Sequence, residues 1–464
     1  MTMFKLREHQ SAALKSIKKM KSDRGRIVIP TGGGKTAVQA YALRDAINST
    51  DGTQLHVVFA PRIVLANQLI KEYRDLIGQN YIALAFHSGG HEPDPAKVRW
   101  AEQATTKVEL VKTELARAKR RGKDLVVFST YASSEKLTEF NFDTITADES
   151  QYCVAENHFE TIRSLKADRK LFFTATEKHT SSSNGRGLNN EVVFGPVVYQ
   201  TVPQTLISKG YIVAPRLHVM AADKNHDTDT VVDEVLHLGK KQADLSKQTP
   251  VNKILFAMKG TDDVTKVVDN LDRIKKEMPG YTVFTILSNA KYGSMVDGKK
   301  RARGDFFKVL RETDKALIFH YDILSEGIDI DGITGVVLMR NMGHAKLLQT
   351  IGRAVRTYKA DPSKKTQAWV SVMVINGNEE SAHHLKTVVN SIRDGGFDVN
   401  VEQVEFTDSD GYGIASDEDL EDVVEPETAT RAKSLLNNVI HDIEDDKYWQ
   451  ELHSSTEEQI LEEF

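Results

Sequence analysis

The sequence predicts an α/β protein of two tandem parallel-sheet domains with a small acidic C-terminal extension. Both halves of the 464 residues alternate short apolar runs with amphipathic stretches, which is the pattern of strands that alternate with helices. A glycine-rich loop follows the first apolar run, and the net charge changes sign near residue 400. The runs predicted as strands are 25–30, 55–60, 125–129, 142–147, 171–174, 253–258, 283–287, 316–320 and 335–339.

Charge and polarity set the expected domain limits. Residues 401–464 hold 20 acids and 3 bases, a net charge of −17 within a chain total of −5, so residues 1–400 carry +12. A polar stretch at 222–229 is typical of a hinge between domains. The expected organisation is a first domain at 1–221, a linker at 222–229, a second domain at 230–395 and an acidic extension at 396–464.

The first predicted strand leads into a loop that is suited to phosphate. Glycines let consecutive backbone N–H groups turn towards an anion, and the dipole of the following helix favours negative charge. In such a loop Lys35 reaches the β and γ phosphates and the Thr36 hydroxyl binds Mg²⁺. The strict pattern G-x-x-x-x-G-K-[ST] is not met, because Ile29 occupies the place of its first glycine. The predicted loop residues are Thr31, Gly32, Gly33, Gly34, Lys35 and Thr36.

An adjacent pair of acids follows another predicted strand. Asp148 and Glu149 come directly after the run 142–147, so both carboxylates are expected at the carboxyl edge of the sheet, where open α/β sheets bind ligands. One carboxylate can hold Mg²⁺ while its neighbour deprotonates the attacking water. The sequence therefore predicts two roles for two neighbouring acids.

The segment 349–356 carries the most specific signal in the second half. Gln349, Gly352, Arg353 and Arg356 stand at four defined positions of a predicted helix. Two arginines three residues apart lie on the same helix face and can reach one phosphate group. Arginines supply the charge that phosphoryl transfer requires in its transition state.

Together these segments resemble helicase superfamily 2. Motifs I, II, III and VI of that superfamily read P-T-G-x-G-K-T, D-E-x-H or D-E-x-Q, T-A-T or S-A-T, and Q-x-x-G-R-x-x-R. The corresponding segments here are 30–36, 148–151, 174–176 and 349–356. Segment 7–10 resembles the adenine-reading Q motif, 60–62 with Gln68 resembles motif Ia, and 324–329 resembles motif V. The resemblance covers roughly residues 4–395 and places the chain near phage and organellar DNA branch-migration helicases and restriction-type motors.

The resemblance implies two RecA-like P-loop domains that bind ATP and Mg²⁺. Asp148 and Thr36 would contact the metal, and Glu149 would be the general base. Arg7 and Gln10 would bind the nucleotide through the Q motif, and Gly327 and Asp329 would face it from the second domain. Segment 174–176 would couple hydrolysis to domain movement. Within motif VI, the resemblance implies that water is oriented by Gln349 and that γ-phosphate charge is stabilised by Arg353 and Arg356.

Nucleic-acid contacts are predicted for Arg62, His87 and Thr130. His87 has the alternative of a turn-capping histidine. The basic loop 291–303 suits a phosphate track or a flexible surface loop, and a charged helix at 96–123 suits a DNA contact, a wedge or a solvated surface. The acidic extension has three interpretations: a solvated tail, an internal competitor for DNA, or a docking segment.

The resemblance implies an ATP-dependent DNA helicase or translocase that acts on single-stranded, forked or junction DNA, with roles in recombination or repair. RNA is a less favoured partner, since Val355 departs from the common RNA-helicase form of motif VI, although Gln151 leaves room for it. A partner-dependent motor that remodels without unwinding is the third alternative. No apolar run approaches 18 residues, which predicts a cytoplasmic protein with no membrane partner. A monomer is expected.

Overall fold

The computed structural model describes residues 5–49, 52–88, 104–177, 179–180, 185–222, 231–287, 293–321, 330–342, 344–358, 361–375, 378–399, 404–408 and 427–444. The chain divides into two compact units, Met1–Leu206 and Ile207–Phe464. Each unit is built around its own sheet.

In the described part of the first unit, seven parallel strands form one sheet in the order β3-β4-β2-β5-β6-β1-β7. The strands are β1 (Arg24–Val28), β2 (Leu55–Ala60), β3 (Tyr81–Phe86), β4 (Asp124–Thr130), β5 (Asn141–Ala147), β6 (Lys166–Thr174) and β7 (Val197–Gln200). The helices are α1 (Glu8–Lys19), α2 (Lys35–Ile47), α3 (Ile63–Ile77), α4 (Val108–Arg121), α5 (Glu156–Ser164), α6 (Glu191–Phe194) and α7 (Pro203–Ser208).

Helices cover both faces of this first sheet. Successive side chains of a strand point to opposite faces, so the apolar residues of β2 and β4 divide between two cores. Phe59 packs on the same face as the buried residues of α4 and α5. Val58 and Phe128 pack on the face covered by α2 and α3. Burial on both faces explains why these strands read as continuous apolar runs.

The second unit has a sheet in the order β12-β11-β10-β13-β9-β14-β15-β8-β16, in which all pairs from β10 to β16 are parallel and β10-β11-β12 are antiparallel. The strands are β8 (Pro215–Ala222), β9 (Asn252–Ala257), β10 (Thr282–Ile286), β11 (Ser294–Val296), β12 (Lys299–Lys300), β13 (Lys315–His320), β14 (Ile333–Leu338), β15 (Ala368–Ile375) and β16 (Val404–Asp408). The helices are α8 (Val231–Leu245), α9 (Thr261–Asp269), α10 (Leu271–Glu277), α11 (Arg303–Glu312), α12 (His344–Ala354), α13 (Glu379–Asp394) and α14 (Glu427–Glu444).

The expected boundary at 221 is wrong, because β8 pairs with β15 and β16 in the second sheet. Residues just before β8 also belong to the second unit: the Val213 N–H donates to the Val355 carbonyl at 2.8 Å. The unit boundary therefore falls at Leu206 and Ile207. Of the predicted linker 222–229, Ala222 ends β8, and the remaining positions lie outside the described residues.

Part of the predicted acidic extension is folded into the second unit. Strand β16 joins the second sheet beside β8, and α14 packs against β8, β16 and α13. Leu436 of α14 is fully buried and Ile440, one turn later, is nearly so, so this helix presents an apolar face to the unit. Residues 404–408 and 427–444 therefore form part of the second unit, which corrects the expected limit at 395.

All nine predicted strands are present, within a few residues of their expected ends. The predicted helix at 96–123 is shorter: α4 begins at Val108, the described residues 104–107 are not helical, and 96–103 lie outside the described residues. The predicted basic loop contains the hairpin β11-β12, whose Lys299 and Lys300 are exposed. No helix in the described ranges is both long and apolar enough to cross a membrane.

Candidate nucleotide site

The loop after β1 is shaped for close approach to an anion. Gly32 and Gly34 have φ angles of 84° and 82°, in the left-handed region that favours glycine. A Cβ atom added to Gly34 would lie 2.4 Å from Gln10 Nε2, and one added to Gly33 would lie 2.5 Å from Ile29 Cγ2. Lys35 then begins α2, so the helix N-terminus follows the loop directly. Backbone geometry and close packing together require glycine here, as a phosphate cradle does.

Side chains of the first helix support this loop. Burial lowers the pKa of His9, and its neutral ring donates from Nε2 to the Gly33 carbonyl at 2.7 Å. Gln10 donates from Nε2 to the carbonyls of Gly33 and Gly34, at 3.1 and 3.4 Å, and accepts from the Arg7 N–H at 2.9 Å. Arg7 donates to the Gly32 carbonyl at 3.4 Å. The predicted adenine-binding residues therefore also brace the phosphate loop.

Asp148 lies at the carboxyl end of β5, and its backbone is held on both sides. Its N–H donates to the Phe59 carbonyl at 2.9 Å, and its carbonyl accepts from the Tyr131 hydroxyl at 2.6 Å. Burial, and next the charge of Glu149, raise the pKa of Asp148 to about 7, against the opposing effects of Lys35 and Gln39. A buried carboxylate of this kind is stabilised in its charged form by a cation.

Glu149 starts a chain of polar contacts that leads to segment 174–176. Lys35 Nζ lies 3.5 Å from Glu149 Oε1, and Gln151 Nε2 donates to Glu149 Oε2 at 2.9 Å. The Thr174 hydroxyl lies 2.8 Å from Gln151 Oε1 and 2.5 Å from the Thr176 carbonyl. Gln151, which departs from the histidine of many DNA helicases, thus connects the acidic pair to segment 174–176.

The backbone of Glu149 is strained, with φ 50° and ψ 55°. This left-handed conformation is uncommon outside glycine and costs of order 1–3 kcal/mol. Asp297 is the other non-glycine residue with positive φ in the described part of the chain. Backbone strain of this kind clusters at functional sites, and here it falls on one of the two adjacent acids.

The chemistry of this cluster fits a magnesium nucleotide. Mg²⁺ prefers oxygen ligands and is commonly held by one or two protein groups together with substrate phosphates. The Thr36 hydroxyl at the start of α2 and the Asp148 carboxylate provide hard oxygen donors, and Lys35 provides a cation for phosphate. The residues of the first unit predicted to bind the nucleotide phosphates and Mg²⁺ therefore lie at one sheet edge.

The three residues predicted to contact nucleic acid lie at the carboxyl edge of the same sheet, at the ends of β2, β3 and β4. The strand order puts β2, β4 and β3 on one side of β5, and Arg62, Thr130 and His87 stand at the carboxyl ends of these strands. Arg62 is exposed, whereas Thr130 and His87 are buried. His87 Nε2 and Asn67 Oδ1 of α3 are 2.9 Å apart, which favours a structural role over a nucleic-acid contact. Arg62 is consequently the strongest of the three candidates.

The arginine motif begins on α12 of the second unit and continues past its last residue, Ala354, so the prediction that Arg353 and Arg356 share one helix face is wrong. Gln349 is half-buried, Arg353 is 4% exposed, and Arg356 follows the helix and pairs with Ile212. The buried Lys365 side chain donates to the carbonyls of Ala354, the last residue of α12, and Arg356, so it holds the end of the helix and the segment that carries Arg356. Gly327 and Asp329 lie outside the described residues.

Comparison with known proteins agrees with this architecture. A family profile described as the res subunit of Type III restriction enzymes (ResIII) matches residues 3–179. The chain resembles the restriction-type motors of helicase superfamily 2. No curated protein sequence matches it.

Three solved structures illustrate the shared fold. The ATP-dependent Type ISP restriction-modification enzyme LlaBIII, bound to DNA, has a TM-score of 0.68 and 16% identity, over 94% of this chain and 33% of the enzyme. A nuclease-deletion mutant of the Type ISP enzyme LlaGI, in complex with a DNA substrate mimic, has a TM-score of 0.61 and 18% identity, over 84% of this chain and 29% of that enzyme. Dbp5 of S. cerevisiae, bound to RNA and ADP BeF3, has a TM-score of 0.52 and 15% identity, over 93% of both chains. The predicted fold of tandem RecA-like domains is confirmed, and the chain spans about a third of the Type ISP enzymes.

Several residues that contact the site are not among those predicted from the sequence. Gln39 and Tyr131 contact Asp148, and Arg26 contacts Glu177 just after segment 174–176. A signal was present for Gln39, which is a polar residue within an apolar stretch of α2, four residues after Lys35. Arg26 similarly interrupts an apolar strand. Their partners could not be read from the sequence, since they lie more than 100 residues away along the chain.

Arg26 anchors the end of segment 174–176 to the strand that delivers the phosphate loop. Its side chain is 5% exposed, donates to the Gly195 carbonyl at 2.9 Å, and lies 2.5 Å from Glu177 Oε1. Removing Arg26 takes this charge from the partly buried Glu177 carboxylate, whose other oxygen keeps the more exposed His179 Nε2 at 3.4 Å. We expect Arg26→Met to lower the free energy of unfolding of the first unit by about 3 kcal/mol, measured by urea titration.

Glu191→Gln is the matched control for Arg26→Met. Glu191 also faces Arg26, but at 3.4 Å and with a side chain 64% exposed. Such a contact contributes little, so the change should stay within about 0.5 kcal/mol. Equal unfolding free energies for Arg26→Met and the unaltered chain would show that the Arg26–Glu177 pair does not anchor this segment.

Proposed function

We propose that this chain is an ATP-hydrolysing motor that translocates on DNA and remodels forked or junction DNA. The observation that carries the proposal is the cluster of the glycine loop, Lys35, Asp148 and Glu149 at one sheet edge. Its connection through Gln151 to Thr174 offers a route by which nucleotide chemistry can move other parts of the protein. The restriction-type resemblance favours DNA as the track.

Each residue of the first unit has a role in this proposal. The loop N–H groups and Lys35 bind the β and γ phosphates, while Arg7 and Gln10 hold the loop in its binding shape. Thr36 and Asp148 hold Mg²⁺, which supplies charge neutralisation at the phosphates when bound. Glu149 accepts a proton from the attacking water. Loss of the γ-phosphate then alters the contacts of Lys35 and Glu149, and the change passes through Gln151 to segment 174–176.

The resemblance extends the proposal to the second unit. Gln349 would orient water, Arg353 and Arg356 would stabilise charge on the γ-phosphate, and Gly327 and Asp329 would contact the nucleotide. Arg62 would bind the phosphate backbone, with Thr130 and His87 as weaker candidates and little sequence preference expected. A role in recombination or repair remains a prediction.

ATPase stimulation tests the proposal. The purified chain is assayed at one salt concentration with no nucleic acid, single-stranded DNA, forked DNA, four-way-junction DNA and RNA of matching length. We expect DNA to stimulate hydrolysis more than RNA, and branched DNA to stimulate most. Greatest stimulation by RNA would favour an RNA-directed helicase, for which the Dbp5 likeness and Gln151 leave room. Hydrolysis that no nucleic acid stimulates would indicate a partner-dependent remodelling motor.

A further inference from the structure

A polar side chain lies inside the apolar face of α2. Gln39 is fully buried, and its helix neighbours Val38 and Ala40 are equally buried and apolar. A buried amide is costly unless its N–H and C=O groups are hydrogen-bonded. Both ends of the Gln39 amide have partners. Nε2 donates to Asp148 Oδ1 at 2.7 Å, and Oε1 accepts from the Tyr73 hydroxyl at 3.3 Å.

The chemistry of the two partners determines the direction of this relay. A carboxylate that holds a cation is ionised and only accepts hydrogen bonds, so in that state the amide must present its N–H to Asp148. The amide oxygen must then face Tyr73, whose hydroxyl can donate. The Tyr73 ring is fully buried and makes an edge contact with Phe128 of β4, with centroids 5.4 Å apart. Packing of α3 on β4 therefore sets the position of the relay.

The main chain of Asp148 is already held by Phe59 and Tyr131, which leaves rotation of its side chain as the remaining freedom. From these contacts we propose that Gln39 and Tyr73 are positioning residues, which hold the Asp148 carboxylate in the rotamer that receives the divalent cation. The inference rests on the proposed function, since it assigns the metal to Asp148. Partners of this kind typically change metal affinity 10-fold to 100-fold.

Mg²⁺ affinity is the direct readout. Binding of a fluorescent ATP analogue to the full chain is titrated at increasing Mg²⁺ and, separately, in EDTA. Gln39→Met keeps the volume of the side chain but removes both hydrogen bonds. We expect it to raise the apparent Mg²⁺ dissociation constant about 10-fold, with nucleotide binding in EDTA unchanged. Tyr73→Phe leaves the Gln39–Asp148 bond in place. It should raise the apparent Mg²⁺ dissociation constant about threefold, as expected for the loss of one neutral hydrogen bond.

Tyr81→Phe is the control for loss of a buried hydroxyl. Tyr81 lies on β3 and is 4% exposed, and within the described ranges it makes no hydrogen bond to Gln39 or Asp148. Its Mg²⁺ dissociation constant should equal that of the unaltered chain. Thermal unfolding shows whether each variant is folded, and Tyr73→Phe alone decides the matter if Gln39→Met does not fold.

The outcomes separate this inference from the function on which it rests. If the unaltered chain binds the nucleotide with Mg²⁺ dependence but both variants match it, the positioning role is wrong and the proposed function stands. If the unaltered chain shows no Mg²⁺-dependent nucleotide binding, the proposed function fails and the positioning role fails with it. A shift in Mg²⁺ affinity for Gln39→Met and Tyr73→Phe, without one for Tyr81→Phe, supports the relay.

Discussion

Glu149→Gln is expected to reduce ATP turnover about 100-fold to 10,000-fold, the range that a positioned general base contributes. The amide is nearly isosteric with the carboxylate and can still accept from Gln151, whose Nε2 lies 2.9 Å from Glu149 Oε2. It cannot accept a proton from water at neutral pH. Turnover should therefore fall while binding of Mg²⁺ and ATP persists, since Lys35, Thr36 and Asp148 are unaltered. Steady-state hydrolysis and nucleotide titration measure the two effects separately.

Two further variants serve as controls for the loss of turnover in Glu149→Gln. Glu156→Gln makes the same chemical change on α5, at a side chain that is 88% exposed, and should leave turnover unchanged. Lys35→Ala removes the phosphate contact itself, so it should lose binding and turnover together. Substantial hydrolysis by Glu149→Gln would mean that another group activates the water, and the assigned base would be wrong.

The nucleotide cluster could be predicted from sequence because of how parallel sheets are built. The loop after β1 and the acids after β5 each follow a recognisable apolar strand. Strands that run parallel end at the same edge, so residues that follow different strands are brought together. This holds for Lys35 and Glu149, which are 114 positions apart in the printed sequence and 3.5 Å apart in space.

Features that depend on which elements pair could not be predicted in the same way. The polar stretch at 222–229 places the residues before it in the expected first domain, yet they form β8, whose neighbours are β15 and β16, far later in the chain. The left-handed backbone of Glu149 has no signal in its side chain type. The Gln39–Tyr73 contact joins α2 to α3 through packing on β4, which no local pattern describes.

Ending the chain after residue 400 is expected to destabilise the second unit by about 5 kcal/mol. Strand β16 would be lost, which would expose the edge of β8, and the buried side chains of Phe406 and Leu436 would be removed from the core. Full burial of each such apolar side chain contributes about 1.5–3 kcal/mol. Urea unfolding of the shortened chain measures the loss. An unchanged unfolding free energy would show that β16 and α14 do not stabilise this sheet.

Ending the chain after residue 444 tests the effect of acidic charge without removing β16 or α14. It keeps β16 and α14 but removes residues 445–464, which hold seven acids and one base. Stability should be unchanged. If this acidic segment competes with DNA for the basic residues of the chain, its loss should tighten DNA binding at low salt, and the difference should shrink as salt rises, because screening weakens both attractions. Equal DNA affinity at every salt concentration would exclude competition by residues 445–464. Deletion from residue 401 could not decide this, since it combines the loss of charge with the loss of a strand and a helix.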